Sequence, residues 1–237
     1  MPAIKFVTFD LDNTLWDVDT VVRRAELRMR AWLTERVPEF PIRCGPEAML
    51  AIRDRVLATE PRLRHDLSRL RETMLFEAVR TCGLNPGEAR TTASAAFQIF
   101  FEARHDVAFF PHALETLEAL AGRYRLAALT NGNASFRKLG LDRYFSFGFS
   151  AADVGAGKPA PDMFHAALRE AGAAPAESIH VGDHLIDDIQ GAGNVGMHTI
   201  WVNLRAAAAP APPAGPTHRV AALTEIPQRI ESIRAAL

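Results

Sequence analysis

The sequence predicts an α/β protein, a parallel sheet flanked by helices and interrupted directly after its first strand by an all-helical block. Three observations carry that expectation. Short apolar runs alternate with helix-like segments, a long stretch near the N-terminus is helical throughout, and polar residues, several of them acidic, follow the apolar runs. With 237 residues the chain has room for one α/β domain and a smaller insertion.

Taken in order, residues 4–9 (IKFVTF) form the first strand, which ends in Asp10, Asp12 and Asp17. Residues 18 to about 108 then break the alternation. VVRRAELRMRAWLTERV, PEAMLAIRDRVLAT, RLRETMLFEAVRTCG and GEARTTASAAFQIFFEAR all carry helical spacing and none reads as a strand. PHALETLEALAG (111–122) is a helix that leads into a strand at 125–129, and a third strand follows at 145–149. PAPDMFHAALREAG is a helix with proline near its start, an apolar stripe at Met163, Phe164, Ala167 and Leu168, and a stop at Gly172. Further strands are expected at 178–182, 198–202 and 219–223, with an Ala/Pro-rich surface loop at 206–216 before the last.

Composition excludes several classes. Lys and Arg total 27 against 28 acidic residues, a formal net charge of -1, which provides no general footprint for nucleic acid or an anionic membrane. Cys44 and Cys82 make neither a disulfide framework nor a metal-site spacing and fit a reducing compartment. The first apolar run contains Lys5 and stops at Asp10, too short for a signal segment or a membrane span, so a soluble cytoplasmic protein, monomer or homodimer, is expected.

The strand ends carry the chemistry. Asp10 and Asp12 follow the first strand, Thr130 and Asn131 the second, and Asp183 the fourth, with Asp187 and Asp188 just beyond and Lys158 in the loop after the third. Open α/β sheets bind ligands at the carboxyl ends of their strands, so these residues converge from distant positions. Neighbouring carboxylates repel unless a cation or proton lies between them, and a hard cation such as Mg²⁺ takes oxygen ligands of this kind. With charge neutralised by the ion and Lys158, an anionic phosphoryl group can approach a carboxylate nucleophile.

FDLDNT, LTN, GKPAPD and VGDHLIDD, in that order, resemble the four motifs of the haloacid dehalogenase superfamily, whose commonest members are magnesium-dependent phosphatases. The resemblance implies a doubly wound, Rossmann-like core over 1–17 and 109–237 and a four-helix cap of the C1 type over 18–108 that closes over the site. It implies that Asp10 attacks phosphorus and Asp12 protonates the leaving oxygen and later activates water. Thr130 and Asn131 would hold phosphoryl oxygens and Lys158 would steady Asp10 and the phosphate. Asp10 and Asp183 would ligate Mg²⁺ with the backbone carbonyl of Asp12, and Asp188, or else Asp187, would stand in the outer shell. Asp10 must be ionised to attack, so Mg²⁺ and Lys158 are expected to depress its pKa, whereas Asp12 must hold a proton at the same pH.

Asp187 and Asp188 also suit the first turn of a helix through LIDDIQGAG. GAGNVG (191–196) fits GxGxxG but follows a helix and precedes a strand, the reverse of a dinucleotide site, and GAGKP lacks the Ser or Thr of a phosphate loop. His184 either touches substrate or is a solvated loop residue, and Trp16 either lines the pocket or packs under the cap. Asn133 joins them as a candidate substrate contact. In the helical block, His65 and Arg69 could reach a phosphate or polar leaving group, or simply open a solvated helix behind an acidic cap. The wider pattern, RHDLSRLR with FPHALETLEAL, LTNGNA and VGDHLIDDIQGA, resembles bacterial phosphatases of flavin mononucleotide and of the phosphorylated ribitylaminopyrimidine of riboflavin synthesis. Relatives acting on other sugar phosphates or nucleotides share much of it. The expected partner is a small phosphorylated metabolite, with a true 2-haloacid dehalogenase and a phospho-accepting receiver domain as rivals. Asp12 argues against the first, since those relatives lack the second aspartate, and the large helical insert with a general acid argues against the second.

Overall fold

The computed structural model describes residues 3–204 and 218–237, so the Ala/Pro-rich loop expected at 206–216 lies outside the described residues. The chain divides into two compact units, Met1–Asp17 with Ala108–Leu237, and Val18–Val107.

The first unit is built on a six-stranded sheet. Its strands are β1 (Phe6–Phe9), β2 (Arg125–Thr130), β3 (Phe147–Ser150), β4 (Ser178–Gly182), β5 (His198–Val202) and β6 (His218–Val220), in the spatial order β3-β2-β1-β4-β5-β6. Every pairing is parallel. The chain therefore winds one way from β1 to β3 and the other way from β4 to β6, which places the switch between β1 and β4. Helices cover a parallel sheet on both faces, and β1 and β4 are accordingly buried at every position. Three strand expectations need correction, the first of them at β1, which begins at Phe6 and not at Ile4. The third strand begins at Phe147 because Phe145 is drawn into the core beside Phe9, and the last is 218–220, since Leu223 already opens a 3₁₀ turn.

The second unit is helical: α1 (Val18–Arg36), the single turn α2 (Phe40–Arg43), α3 (Pro46–Thr59), α4 (Leu67–Thr81) and α5 (Pro86–Arg104). Val21, Ala25, Met29 and Leu33 recur every four residues on α1, so one stripe is buried while the arginines between them face out. On α5, Ala89, Ala93 and Ala96 let a neighbouring backbone approach, and Phe97 and Phe100 fill the space beyond. Asn85 and Glu88 form a reciprocal cap at the start of α5, and Asp66 accepts the backbone N–H of Arg69 at the start of α4.

The remaining helices of the first unit are α6 (Ala113–Ala121), α7 (Ala151–Val154), α8 (Asp162–Ala171), α9 (Gly191–Asn194) and α10 (Ile226–Ala235). The α8 stripe of Met163, Phe164, Ala167 and Leu168 packs with Phe6, Ala127 and Leu129 of the sheet, each large side chain worth about 1.5–3 kcal/mol of burial. Gly172 ends that helix at φ +63, a left-handed conformation that a side chain would strain. Among the described residues no helix is long and apolar enough to cross a membrane.

Candidate active site

β1, β2 and β4 are neighbours, so their carboxyl ends deliver residues far apart in sequence to one place. Asp10 continues the β1 ladder, its backbone N–H donating to Val181 at 2.9 Å. The chain then turns sharply. Asn13 adopts φ 60, its N–H donates to the Trp16 carbonyl at 2.8 Å, and Trp16 bridges to both Asp12 and Phe109. Trp16 has no exposed surface, so the expectation that it lines a pocket is replaced: its indole N–H donates to Asp12 Oδ1 at 2.9 Å and orients that carboxyl.

Lys158 is almost fully buried, and all three of its ammonium hydrogens have acceptors. Nζ donates to Asp10 Oδ1 at 2.8 Å, to Asp188 Oδ1 at 2.6 Å and to the Leu129 carbonyl at 2.8 Å. These two carboxylates raise its pKa against the opposing pull of burial, so it stays charged. Asp188 is held from three sides, by Lys158, by His180 Nε2 at 3.1 Å and by the backbone N–H of His184 at 2.9 Å. Burial would raise its pKa, but the Lys158 charge and the His180 hydrogen bond outweigh burial and hold it well below the usual carboxylate range. The approach is possible because residue 182 is glycine. A Cβ there would lie 2.3 Å from Asp188 Cγ.

Asp10, Asp183 and Asp188 offer carboxylate oxygens that all lie within 4.8 Å of one another. Thr14 spans two of them, its hydroxyl 3.2 Å from Asp10 Oδ2 and 3.4 Å from Asp183 Oδ1. Three carboxylates against the one ammonium of Lys158 leave two negative charges uncompensated in a mostly buried pocket. Asp183 registers this, pushed up to about 6 by burial and by the charge of Asp188. Without a metal ion Asp10 is also raised: burial outweighs the pull of Lys158, and Asp188 and Asp183 add to the rise, so a depressed value depends on the charge of a bound cation. A hard divalent cation fits this donor set in charge and in ligand type.

The end of the second strand contributes Thr130 and Asn131. Thr130 accepts the Gly132 N–H at 2.9 Å, which fixes its hydroxyl oxygen and leaves the hydroxyl hydrogen to donate. The resemblance assigns Asn131 to a phosphoryl oxygen. Its side chain instead clamps the Lys158 peptide, accepting from Lys158 N–H at 2.7 Å and donating to the Lys158 carbonyl at 2.8 Å, with its other donor on Asp187 Oδ2 at 3.3 Å. Both amide hydrogens are used, so its side chain positions the lysine loop.

Of the acid pair, Asp188 turns into the cluster and Asp187 stays at the rim with Asn131 and His184. His184 Nδ1 accepts the Asp187 N–H at 3.0 Å, and its ring is largely exposed. Asn133 is half-buried in the loop after β2. His65 and Arg69 belong to the helical unit, where Arg69 is exposed and pairs with Glu60 at 3.5 Å. Sequence reasoning missed Thr14, His180, Gly182 and Trp201, whose indole donates to the Asp183 carbonyl at 2.8 Å. Thr14 and Gly182 stand inside quoted motifs and could have been found there; the other two carried no signal beyond being polar-tipped side chains in buried strands. Beside Asp183 the same unit carries a cavity of about 500 Å³ whose lining includes Asn13, Phe110, Trp201 and Leu223.

A family model described as haloacid dehalogenase-like hydrolase matches residues 4–196. The 5-amino-6-(5-phospho-D-ribitylamino)uracil phosphatase YigB of Escherichia coli is 34% identical over 199 residues, 84% of this chain and 83% of that protein. The phosphoserine phosphatase of Thermus thermophilus is 36% identical over 162 residues, 66% of this chain and 63% of that one. A crystal structure of a 2-haloacid dehalogenase from Pseudomonas syringae matches with a TM-score of 0.91 at 41% identity, covering 97% of this chain and 99% of that one.

Proposed function

The chain belongs to the haloacid dehalogenase-like hydrolases, and from that membership we propose that it is a Mg²⁺-dependent phosphomonoester hydrolase acting through an aspartyl-phosphate. The observation that carries the reading is the buried array at the β1/β4 switch, a carboxylate held by an ammonium and faced by two further carboxylates with two charges to spare.

Asp10 and Asp183 would hold the ion with the Asp12 carbonyl, and Asp188, already accepting three hydrogen bonds, would stand behind them. The bound ion supplies charge compensation for Asp10 and the phosphoryl oxygens. The Asp10 carboxylate attacks phosphorus, an Asp10 oxygen–phosphorus bond forms, and the ester oxygen leaves with the proton of Asp12. Asp12, now a carboxylate, takes a proton from water as that water attacks phosphorus, releasing inorganic phosphate and restoring both residues. Lys158 stays on Asp10 throughout, and the Thr130 hydroxyl donates to a phosphoryl oxygen. Such transfer depends mainly on positioning and on fixed positive charge.

The cavity beside Asp183 has the size of small-molecule sites, which suits a phosphorylated metabolite. Flavin mononucleotide and the phosphorylated ribitylaminopyrimidine head the substrate list, supported by the long alignment with the E. coli enzyme. A panel of phosphorylated metabolites with phosphoserine included, assayed with and without Mg²⁺, ranks them. Asp10→Asn should abolish turnover of p-nitrophenyl phosphate with the fold intact by circular dichroism; a rate near wild type overturns the nucleophile assignment.

The likeness to a structure named as a 2-haloacid dehalogenase favours a second reading, in which Asp10 displaces halide. Dehalogenation has no phosphate to neutralise, and neither Asp12 beside the nucleophile nor the excess negative charge of the cluster serves it. Metal-independent chloride release from chloroacetate would reverse the assignment.

A further inference from the structure

His180 has no part in the chemistry above, yet it is a fully buried polar ring in a strand at the middle of a parallel sheet, where apolar side chains are the rule. Side chains alternate along β4, so His180 and Gly182 share a face, and the space left open over Gly182 is where Asp188 lies. On β1 the residue paired with His180 is Thr8, also fully buried. Thr8 Oγ1 stands 2.7 Å from Nδ1, against 3.3 Å from the Ile179 carbonyl, and Phe164 meets the ring edge-on at 5.2 Å.

These contacts define one tautomer. Asp188 as a carboxylate can only accept, so Nε2 carries the hydrogen, and Nδ1 then accepts from the Thr8 hydroxyl. A directed chain results: Thr8 O–H to Nδ1, Nε2–H to Asp188 Oδ1, and Lys158 Nζ to that same oxygen and to Asp10.

We propose that His180 is a positioning residue that, oriented by Thr8, locks the Asp188 carboxylate and through it holds Lys158 in register with Asp10. The proposal rests on the assignment of Asp10 as phosphoryl acceptor. Without the ring, Asp188 keeps the His184 N–H on Oδ2 and Lys158 on Oδ1 but loses the donor that anchors Oδ1 to the strand, leaving that oxygen tied to the lysine alone. Lys158 then loses a fixed partner on the side away from Asp10. Residues behind a charged first layer are typically worth about 10- to 100-fold in activity.

The test compares His180→Phe, which keeps ring and volume but no donor, with His180→Gln, whose terminal amide can donate to Asp188, both with Mg²⁺ and p-nitrophenyl phosphate. His180→Phe is expected to lower kcat by about 10- to 100-fold with KM nearly unchanged, because the leaving group is untouched, and His180→Gln to recover most of it. Rapid-quench measurement should place the loss in phosphorylation of Asp10. Equal loss in both variants, tracking their loss of Tm, would make the ring simple packing and overturn the proposal, as would a kcat for His180→Phe within about 2-fold of wild type. Should His180→Phe not fold, Thr8→Val removes the orienting hydroxyl at matched volume, and an unchanged kcat there overturns it equally. Asp10→Asn run alongside separates the two ideas: if that variant stays active, the nucleophile assignment has failed, whereas an inactive Asp10→Asn beside an unimpaired His180→Phe defeats only the role of His180.

Discussion

The two units treat charge in opposite ways. In the helical unit the core is assembled from Met29, Leu33, Phe40, Leu75, Phe97 and Phe100 with alanines between them. Most of its ion pairs, such as Arg43–Glu39 at 3.2 Å, are exposed, while Glu26 with Arg30 and Arg71 is half-buried and Arg104 is buried. At the β1/β4 switch of the sheet unit, Lys158, Asp10 and Asp188 pair at 2.6–2.8 Å with hardly any contact with solvent. Water screens the first kind of pair, which is therefore worth little; it scarcely touches the second, where each charge depends on its neighbours. The helical unit therefore derives its stability from apolar area, while the strand-end cluster holds charges whose desolvation is offset only by one another.

Lys158→Met breaks the comparison at its sharpest point. It should lower kcat by roughly 10²- to 10³-fold and, with chelator present, cost about 3–5 kcal/mol in urea unfolding, because Asp10 and Asp188 then face each other uncompensated. An unchanged urea midpoint would show that the buried pair contributes nothing net.

Leu33→Ala attacks the apolar counterpart. Leu33 is fully buried in the helical core, and its truncation should cost about 2–5 kcal/mol, read in urea, with no dependence on Mg²⁺.

The comparison sharpens with pH. Asp183 is held up at about 6 and Asp10 is raised as well, so in the metal-free folded protein these two groups bind more protons than in the unfolded chain from about pH 4 up through their folded values. Stability from these groups is present at low pH and is lost as pH rises through their folded values. Asp188, held below the usual range, acts oppositely, and its contribution is lost only in stronger acid. Mg²⁺ should consequently raise Tm by a few degrees at pH 7.5 and by much less at pH 5. Differential scanning fluorimetry with Mg²⁺ or EDTA measures this, and Asp183→Asn should flatten the difference.

Smallest of all is Arg43→Ala. Its partner Glu39 is as exposed as it is, and urea unfolding should move by no more than about 0.5 kcal/mol.

Much of this contrast was legible in the chain. Acidic residues after apolar runs at Asp10 and Asp183, and the four amphipathic segments of the insert, announce themselves because buried charge and helical periodicity are both rare by accident. The choice between Asp187 and Asp188 was not legible. The turn through Leu185–Gln190 is wider than an α-helix, with the N–H groups of both Asp188 and Ile189 directed at the His184 carbonyl, and this rotates Asp188 inward by an amount that no regular period predicts. Asn131 misled for a related reason: its partner lies 27 residues away in a loop whose path has no periodic signal.

The sequence by itself determined the elements and the chemical inventory, since hydrophobic period, caps and strand-end acids are local properties of the chain. Only the tertiary structure decided which acid faces the pocket, that Trp16 and Asn131 support their neighbours, and that Thr8, His180, Asp188, Lys158 and Asp10 form one directed series. The reason is that Thr8–His180 and Lys158–Asp10, pairs more than a hundred positions apart, depend on strand order and register, and the shorter links depend on the paths of the loops after the strands, none of which a local period encodes.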